Sequence, residues 1–89
     1  MWQDITSYDK YDKENTPTTW LLKLSRLRVV VTCNHIYYKG VWVMHCDPFY
    51  NTFPLDGVIT RQEAQARAVA LVRERLDEII KALDEASKE

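Results

Sequence analysis

The chain has 89 residues, of which 46% are hydrophobic and 28% are charged. This length suits a single domain, and the apolar share is enough for a small core, which excludes a two-domain protein and a largely disordered chain. Twelve basic and 13 acidic side chains leave a net charge of −1, so overall charge gives no argument for a polyanion or an anionic membrane as ligand.

The predicted domain covers residues 1–89 and begins with an N-terminal arm and loop, residues 1–17. Residues 2–8 mix aromatic and polar side chains, which leaves room for an additional short strand. Residues 9–17 are charged and end in Pro17, as expected of a loop.

A sheet and an aromatic loop are predicted for residues 18–59. An apolar residue at every second position from Trp20 to Leu24 indicates a first strand, and the β-branched stretch 27–37 indicates a central strand. Because Gly40 can take a positive φ at low cost, we predict a two-residue turn at Lys39–Gly40 and a third strand at 41–46. Residues 49–57 then predict an ordered loop or a short edge strand.

A long helix is predicted for residues 60–87. Thr60 and Glu63 have the spacing of a capping box, in which each side chain satisfies a backbone amide at the helix start. Helical spacing places one apolar stripe on this segment, formed by Ala64, Ala68, Leu71, Val72, Leu76, Ile79, Ile80 and Leu83.

The predicted fold class is α+β: a three- to four-stranded antiparallel sheet with one long C-terminal amphipathic helix packed on one face. A helix of about 26 residues spans about 39 Å, whereas a seven-residue strand spans about 23 Å. The helix should therefore project beyond the sheet. Its exposed stripe at Ile79, Ile80 and Leu83 predicts self-association as a homodimer, unless the segment around Trp2 and Ile5 covers it.

The two cysteines allow three interpretations. The predicted two-residue turn places Cys33 opposite Cys46, as a pair of core thiols, a cross-strand disulfide, or half of a metal site with His35 and His45. Strand alternation sends His45 to the other face, which disfavours a metal. We expect reduced thiols, no metal and no cofactor.

No catalytic motif is apparent. The neighbouring cysteine and histidine residues lie inside predicted strands, whereas a nucleophile needs an exposed position and an oriented base. With only Gly40 and Gly57 as glycines, a phosphate-binding loop is hard to build. We therefore expect that the protein is not an enzyme.

The face of the sheet turned away from the helix is predicted to be unusually apolar. The helix covers the side that carries Val29, Val31, Cys33, Trp42 and Met44. The other face would carry Val30, Thr32, Ile36, Tyr38, Val41, Val43 and His45, with Tyr37, Phe49, Tyr50 and Phe53 nearby. This composition is typical of a binding surface. The alternative is that the N-terminal segment, with Trp2, Ile5 and Tyr8, folds over it.

Acidic and basic residues are unevenly distributed along the chain. No acidic residue occurs between Glu14 and Asp47, while Lys23, Arg26, Arg28 and Lys39 all lie in that stretch. Basic groups beside aromatic rings suit a single-stranded nucleic acid, and they suit an acidic protein surface equally well.

Location follows from two absences in the sequence. The chain does not open with a basic segment followed by an apolar stretch, as a secretory signal does. Its longest apolar run, residues 68–72, is far shorter than the roughly 20 residues of a membrane-spanning helix. We expect a cytoplasmic protein without a membrane partner.

The layout of the whole chain resembles a known class of proteins. A "WQDITSY" opening, the strand "WLLKL", the segment "YYKGVWVMHC" and an Ala-rich amphipathic helix follow one another. In this order the chain resembles the short accessory proteins of bacteriophages and mobile elements, including anti-CRISPR inhibitors. The resemblance implies a single-domain, non-enzymatic inhibitor that masks a functional surface of a host defence complex in the host cytoplasm, and it carries over no site residue.

The predicted function is therefore protein binding to a host protein or protein complex. The predicted partner-binding residues are Tyr37, Tyr38, Lys39 and Trp42, supported by Phe49, Tyr50 and Arg28. The alternative is a nucleic-acid-binding module that uses Lys23, Arg26, Arg28 and the tyrosines.

Overall fold

The structure is a computed structural model that describes residues 1–7 and 16–88. Five strands precede one helix: β1 (Trp2–Asp4), β2 (Thr19–Leu24), β3 (Leu27–Thr32), β4 (Val43–Cys46), β5 (Tyr50–Pro54) and α1 (Arg61–Ala86). The predicted α+β class with one C-terminal helix is confirmed. The sheet has five strands, not the three to four expected.

The strands lie side by side in chain order, and each is antiparallel to its neighbour. The two strands beyond the expected core of three are the outer ones. β1 forms within the predicted N-terminal arm and places Trp2 opposite Leu22. β5 forms within the aromatic segment and places Tyr50 opposite Cys46. The part of the predicted loop at residues 8–15, including Tyr8, lies outside the described residues.

The central strand is shorter than predicted. β3 ends at Thr32, and Thr32 pairs with Val43, so residues 33–42 form the connection in place of a two-residue turn. Local hydrogen bonds explain this ending: the Asn34 amide donates to Thr32 Oγ1 at 3.1 Å and the Tyr37 amide donates to His35 Nδ1 at 3.2 Å. Such bonds from side chains compete with the ladder of a sheet.

The corrected register keeps the predicted faces but separates the thiols. Met44 pairs with Val31 and not with His35, an offset of four residues. Because side chains alternate with a period of two, an even offset leaves each one on its predicted face. Cys33 lies beyond the end of β3, so the predicted opposition of Cys33 and Cys46 is wrong, and both cysteines are free.

α1 begins and ends where the sequence predicts. The Glu63 amide donates to Thr60 Oγ1 at 3.1 Å and the Thr60 hydroxyl donates to Glu63 Oε1 at 3.2 Å. The last helical residue is Ala86, with Ser87 as the C-cap. The helix packs on β3 and β4 through three buried side chains, Ala64, Ala68 and Val72. Two of the three are alanines, which allow the helix backbone to approach the sheet closely.

The core lies between α1 and one face of the sheet. It is formed by Leu22, Val29, Val31, Trp42, Met44, Cys46, Leu55, Ala64, Ala68 and Val72. Beyond Val72 the helix leaves the sheet, and every residue from 73 to 88 is exposed. The apolar stripe emerges progressively, from 37% exposed at Leu76 to 63% at Leu83. The predicted projection is confirmed, and the molecule measures 60 × 26 × 20 Å.

The sheet face turned away from the helix is less open than predicted. Leu21 and Val43 on this face are buried, and Val30 is half-buried. The expectation of exposed valines across it is therefore wrong for the strands themselves. Ile36, Tyr38 and Val41, which were expected on this face, lie in the connection 33–42 instead.

None of the helices in the described part of the chain has the length and apolar character needed to cross a membrane.

Candidate functional site

The connection 33–42 is fixed at one end of the sheet by Trp42. The indole Nε1–H of Trp42 donates to the Ile59 carbonyl at 3.3 Å, and the Trp42 carbonyl accepts from the Leu55 amide at 2.8 Å. Trp42 itself is only 8% exposed. Although predicted as a partner-binding residue, Trp42 belongs to the core and offers almost no surface to a partner.

The outer part of this connection presents apolar side chains to solvent. Ile36 is 74% exposed and Tyr37 is 82% exposed. The His35 ring lies between two tyrosines, with ring centroids 5.8 Å from Tyr37 and 5.6 Å from Tyr38. We call Ile36, Tyr37, Tyr38, Lys39 and Val41 the apical surface; all five are exposed.

Backbone hydrogen bonds hold the apical surface in a defined shape. The Tyr38 amide donates to the His35 carbonyl at 3.1 Å and the Val41 amide to the Tyr38 carbonyl at 3.0 Å. The Gly40 amide closes the loop onto the Cys33 carbonyl at 3.2 Å, with Gly40 at φ +79°. A loop that is already ordered loses less conformational entropy when it binds.

The other predicted partner-binding residues lie at the opposite end of the sheet. Tyr50 begins β5 and Arg28 lies near the start of β3, whereas the apical surface follows the end of β3. The Tyr50 ring contacts Phe53, with centroids 4.9 Å apart. It also lies 5.5 Å from the guanidinium of Arg75. Tyr50 and Glu78 together raise the pKa of Arg75.

The structure thus separates the predicted site residues: Trp42 lies in the core, and Phe49 and Tyr50 are half-buried and pack against it. Tyr37, Tyr38 and Lys39 lie together on the apical surface. Arg28 lies with Arg26, Val30, His45 and Asp47 around a cavity of about 260 Å³.

This cavity has mixed charge. Arg26 and Arg28 line the cavity, and Lys23 pairs with Arg28 across the β2–β3 ladder. Three basic side chains therefore lie at or near the cavity. His45 Nε2 lies 3.3 Å from Asp47 Oδ2, however, and the carboxylate offsets part of the positive charge. The cavity is large enough for a phosphate-sized group.

Neither cysteine has the lowered pKa that activates a thiol. Burial raises the pKa of the Cys33 and Cys46 thiols, and the Asp47 carboxylate raises that of Cys46 further. Both thiols are therefore protonated at neutral pH, and a protonated thiol is a poor nucleophile and metal ligand. Within residues 1–7 and 16–88, no three His, Cys, Asp or Glu side chains are grouped to hold a metal ion.

The sequence did not predict two exposed features, the Ile59 side chain and a groove beside Trp2. Ile59 is largely exposed, and its carbonyl accepts the Trp42 indole hydrogen bond, which places it beside the connection 33–42. A groove of about 840 Å³ also runs between Trp2 and the outer side of α1. Neither has a local sequence signal, because each arises from the way that separate elements pack.

No protein family model, curated protein or solved structure matches the chain.

Proposed function

We propose that the protein is a non-enzymatic binding module that occupies a functional surface of a partner protein through its apical surface. The observation that supports this most directly is the exposure of Ile36 and Tyr37 on a connection that hydrogen bonds hold in shape. Isolated exposed apolar residues are common in soluble proteins, but an ordered aromatic cluster of this kind is typical of an interface centre.

The energetics favour a protein as the ligand. Fully burying an aliphatic or aromatic side chain contributes roughly 1.5–3 kcal/mol, and tyrosine does so at a low cost in side-chain entropy. The one charged member of the apical surface, Lys39, favours a partner with an acidic rim around an apolar pocket.

A more specific proposal rests on the layout of the sequence. In it, the protein is phage-encoded, acts in the cytoplasm of the host cell, and inhibits a host defence complex by masking one of its surfaces. Inhibition by masking needs only stable contact and no chemistry, and the protonated thiols accord with that requirement.

Affinity capture tests the proposal. The full-length protein is immobilised, the partner is recovered from an extract of the host cell, and its affinity is then measured by calorimetry. We expect the I36A/Y37A variant to weaken binding by at least about 100-fold, the usual loss for two central contacts. The matched control is L24A, since Leu24 is an exposed apolar residue at the opposite end of the sheet. Equal affinities for wild type and I36A/Y37A would remove the proposal.

A second candidate function is supported by the basic residues beside this cavity of mixed charge. Lys23, Arg26 and Arg28 lie together, and the cavity that Arg26 and Arg28 line with His45 and Asp47 is large enough for a phosphate group. This favours a nucleic-acid-binding module as the alternative.

Salt dependence separates the two candidates. A nucleic-acid module would bind a single-stranded oligonucleotide with an affinity that falls steeply as salt rises, because phosphate contacts release counterions. It would also lose that binding in the R26Q/R28Q variant. The protein-binding proposal predicts no oligonucleotide binding at about 150 mM salt and a partner affinity that changes little with salt.

A further inference from the structure

We infer that the projecting half of α1, residues 73–88, pairs with the same segment of a second copy in an antiparallel, two-fold symmetric dimer. Three observations carry the inference: the exposed apolar stripe, the order of charges beside it, and the groove next to Trp2.

The stripe has the composition and spacing of a helix–helix contact. Leu76, Ile79, Ile80 and Leu83 recur every three to four residues over two turns, and all four are exposed. They continue the line of Val72, which is buried against the sheet. Together they leave on the order of 400 Å² of apolar surface per copy, which is the size of a functional patch. Two copies bury less than a standard interface, so the dimer should dissociate on dilution.

The stripe is self-complementary in the antiparallel direction. An alignment centred between Ile79 and Ile80 sets Leu76 of each copy against Leu83 of the other, and the two isoleucines against each other. The same patch then serves on both sides, as a two-fold interface requires.

Charges beside the stripe select this direction. Arg73, Asp77 and Lys81 all line the groove side of the helix, and helical spacing places Asp84 on the same side. In the antiparallel alignment residue 73 lies opposite residue 86 of the second copy, so Arg73 comes within two residues, about 3 Å along the helix axis, of Asp84 on the same side of the pair. A parallel alignment would instead bring Arg73 close to Arg75 of the second copy. Like charges at these flanking positions oppose pairing.

The groove receives the end of the second helix. It is lined near the sheet by Trp2, Ala66, Val69 and Ala70. In the antiparallel alignment the last turn of the second copy lies opposite residues 71–75, at the mouth of this groove. Small side chains there leave room for the approaching helix, so the alignment fills a space that the single chain leaves open.

The dimer has a consequence that rests on the proposed function. The apical surface lies at the end of the sheet where α1 begins, whereas residues 73–88 project from the other end. Pairing through the projecting halves therefore leaves both apical surfaces free, on the order of 100 Å apart along the paired helices. A dimer of this shape binds two partner molecules, or two sites on one assembly, with increased avidity.

Sedimentation equilibrium of the full chain, from about 5 to about 500 μM, tests the dimer without any partner. We expect a reversible monomer–dimer equilibrium, and we expect I79E/L83E to remain monomeric throughout while keeping the wild-type circular dichroism spectrum, because both positions are exposed. The matched control, I36E, changes an exposed isoleucine of the apical surface and should dimerise like wild type. A wild-type monomer at the highest concentration overturns the inference, as does a dimer that I79E/L83E leaves intact.

Charge reversal tests the direction. R73E or D84R alone should raise the dissociation constant about tenfold, since each replaces two attractions per dimer by two repulsions. The double variant R73E/D84R restores opposite charges across the interface and should return to within about threefold of wild type. Absence of recovery contradicts the antiparallel alignment. Partner affinity measured in the I79E/L83E monomer reports the apical surface alone, so failure of the proposed function and failure of the dimer give different results.

Discussion

Tyr37 and Trp42 are both aromatic residues of the same short connection, yet the structure gives them opposite roles. Tyr37 projects into solvent, whereas Trp42 lies in the core and donates a hydrogen bond to the Ile59 carbonyl. The sequence shows that both rings are present but not which of them is buried, since that depends on the packing of residues 55–59 against the connection.

This difference predicts opposite effects of truncation. W42A removes a large buried side chain and should lower the free energy of unfolding by about 3–5 kcal/mol. Y37A removes an exposed ring and should change it by less than about 0.5 kcal/mol. Urea denaturation followed by circular dichroism measures both. A large loss of stability for Y37A would show that Tyr37 packs within the fold and is not free to bind a partner.

The thiols predict how stability depends on pH. Burial raises the folded-state pKa of Cys46 above its ordinary value of 9.0, so the unfolded chain ionises first as pH rises. The contribution of this thiol to stability is therefore constant below about pH 9 and is lost above it. We expect the unfolding free energy of wild type to fall more steeply between pH 8 and pH 10.5 than that of C46A. Parallel curves would mean that Cys46 ionises as easily in the folded protein as in the unfolded chain.

At the scale of elements, the helix could be predicted closely and the strands only in part. The Thr60–Glu63 capping box and the apolar stripe are local signals, and α1 begins and ends as they indicate. The β-branched stretch after Leu27 correctly indicated a strand. The end of this strand could not be predicted, because the composition of the stretch favours a longer strand. Local hydrogen bonds to Thr32 Oγ1 and His35 Nδ1 end β3 instead.

The cap predicts a measurable loss when it is removed. T60A deletes the acceptor for the Glu63 amide and should destabilise the protein by about 1 kcal/mol. T60S keeps the hydroxyl and should remain within about 0.3 kcal/mol of wild type. Chemical denaturation of the three proteins gives the comparison. Equal losses for T60S and T60A would show that the hydroxyl hydrogen bond is not the source of the stability.

The two halves of α1 should differ in dynamics. Residues 64–72 pack on the sheet through Ala64, Ala68 and Val72, whereas residues 73–88 are all exposed and reach the sheet at Arg75, beside the Tyr50 ring. Exposed helices open at a lower free energy, so we expect fast amide hydrogen exchange beyond residue 76 in dilute protein and slower exchange at concentrations where the dimer forms. Equal protection of both halves in dilute solution would contradict this division.

At the scale of the whole molecule, the decisive feature is the separation of two exposed apolar surfaces. The expected lengths of the helix and the strands predicted the first surface, the stripe on the projecting half of α1, because a helix of this length extends beyond a short sheet. The other was expected across the reverse face of the sheet. It lies instead on the connection 33–42, because the strands stop early and Leu21 and Val43 are buried. Only a correct register could have placed it there.

The most direct test of the central claim is hydrogen–deuterium exchange of the full chain, alone and saturated with its captured partner. We predict that partner binding slows exchange across residues 33–42, with little change at residues 23–28. Protection at residues 23–28 and 45–47, with residues 33–42 unaffected, would contradict the claim that the apical surface is where the partner binds.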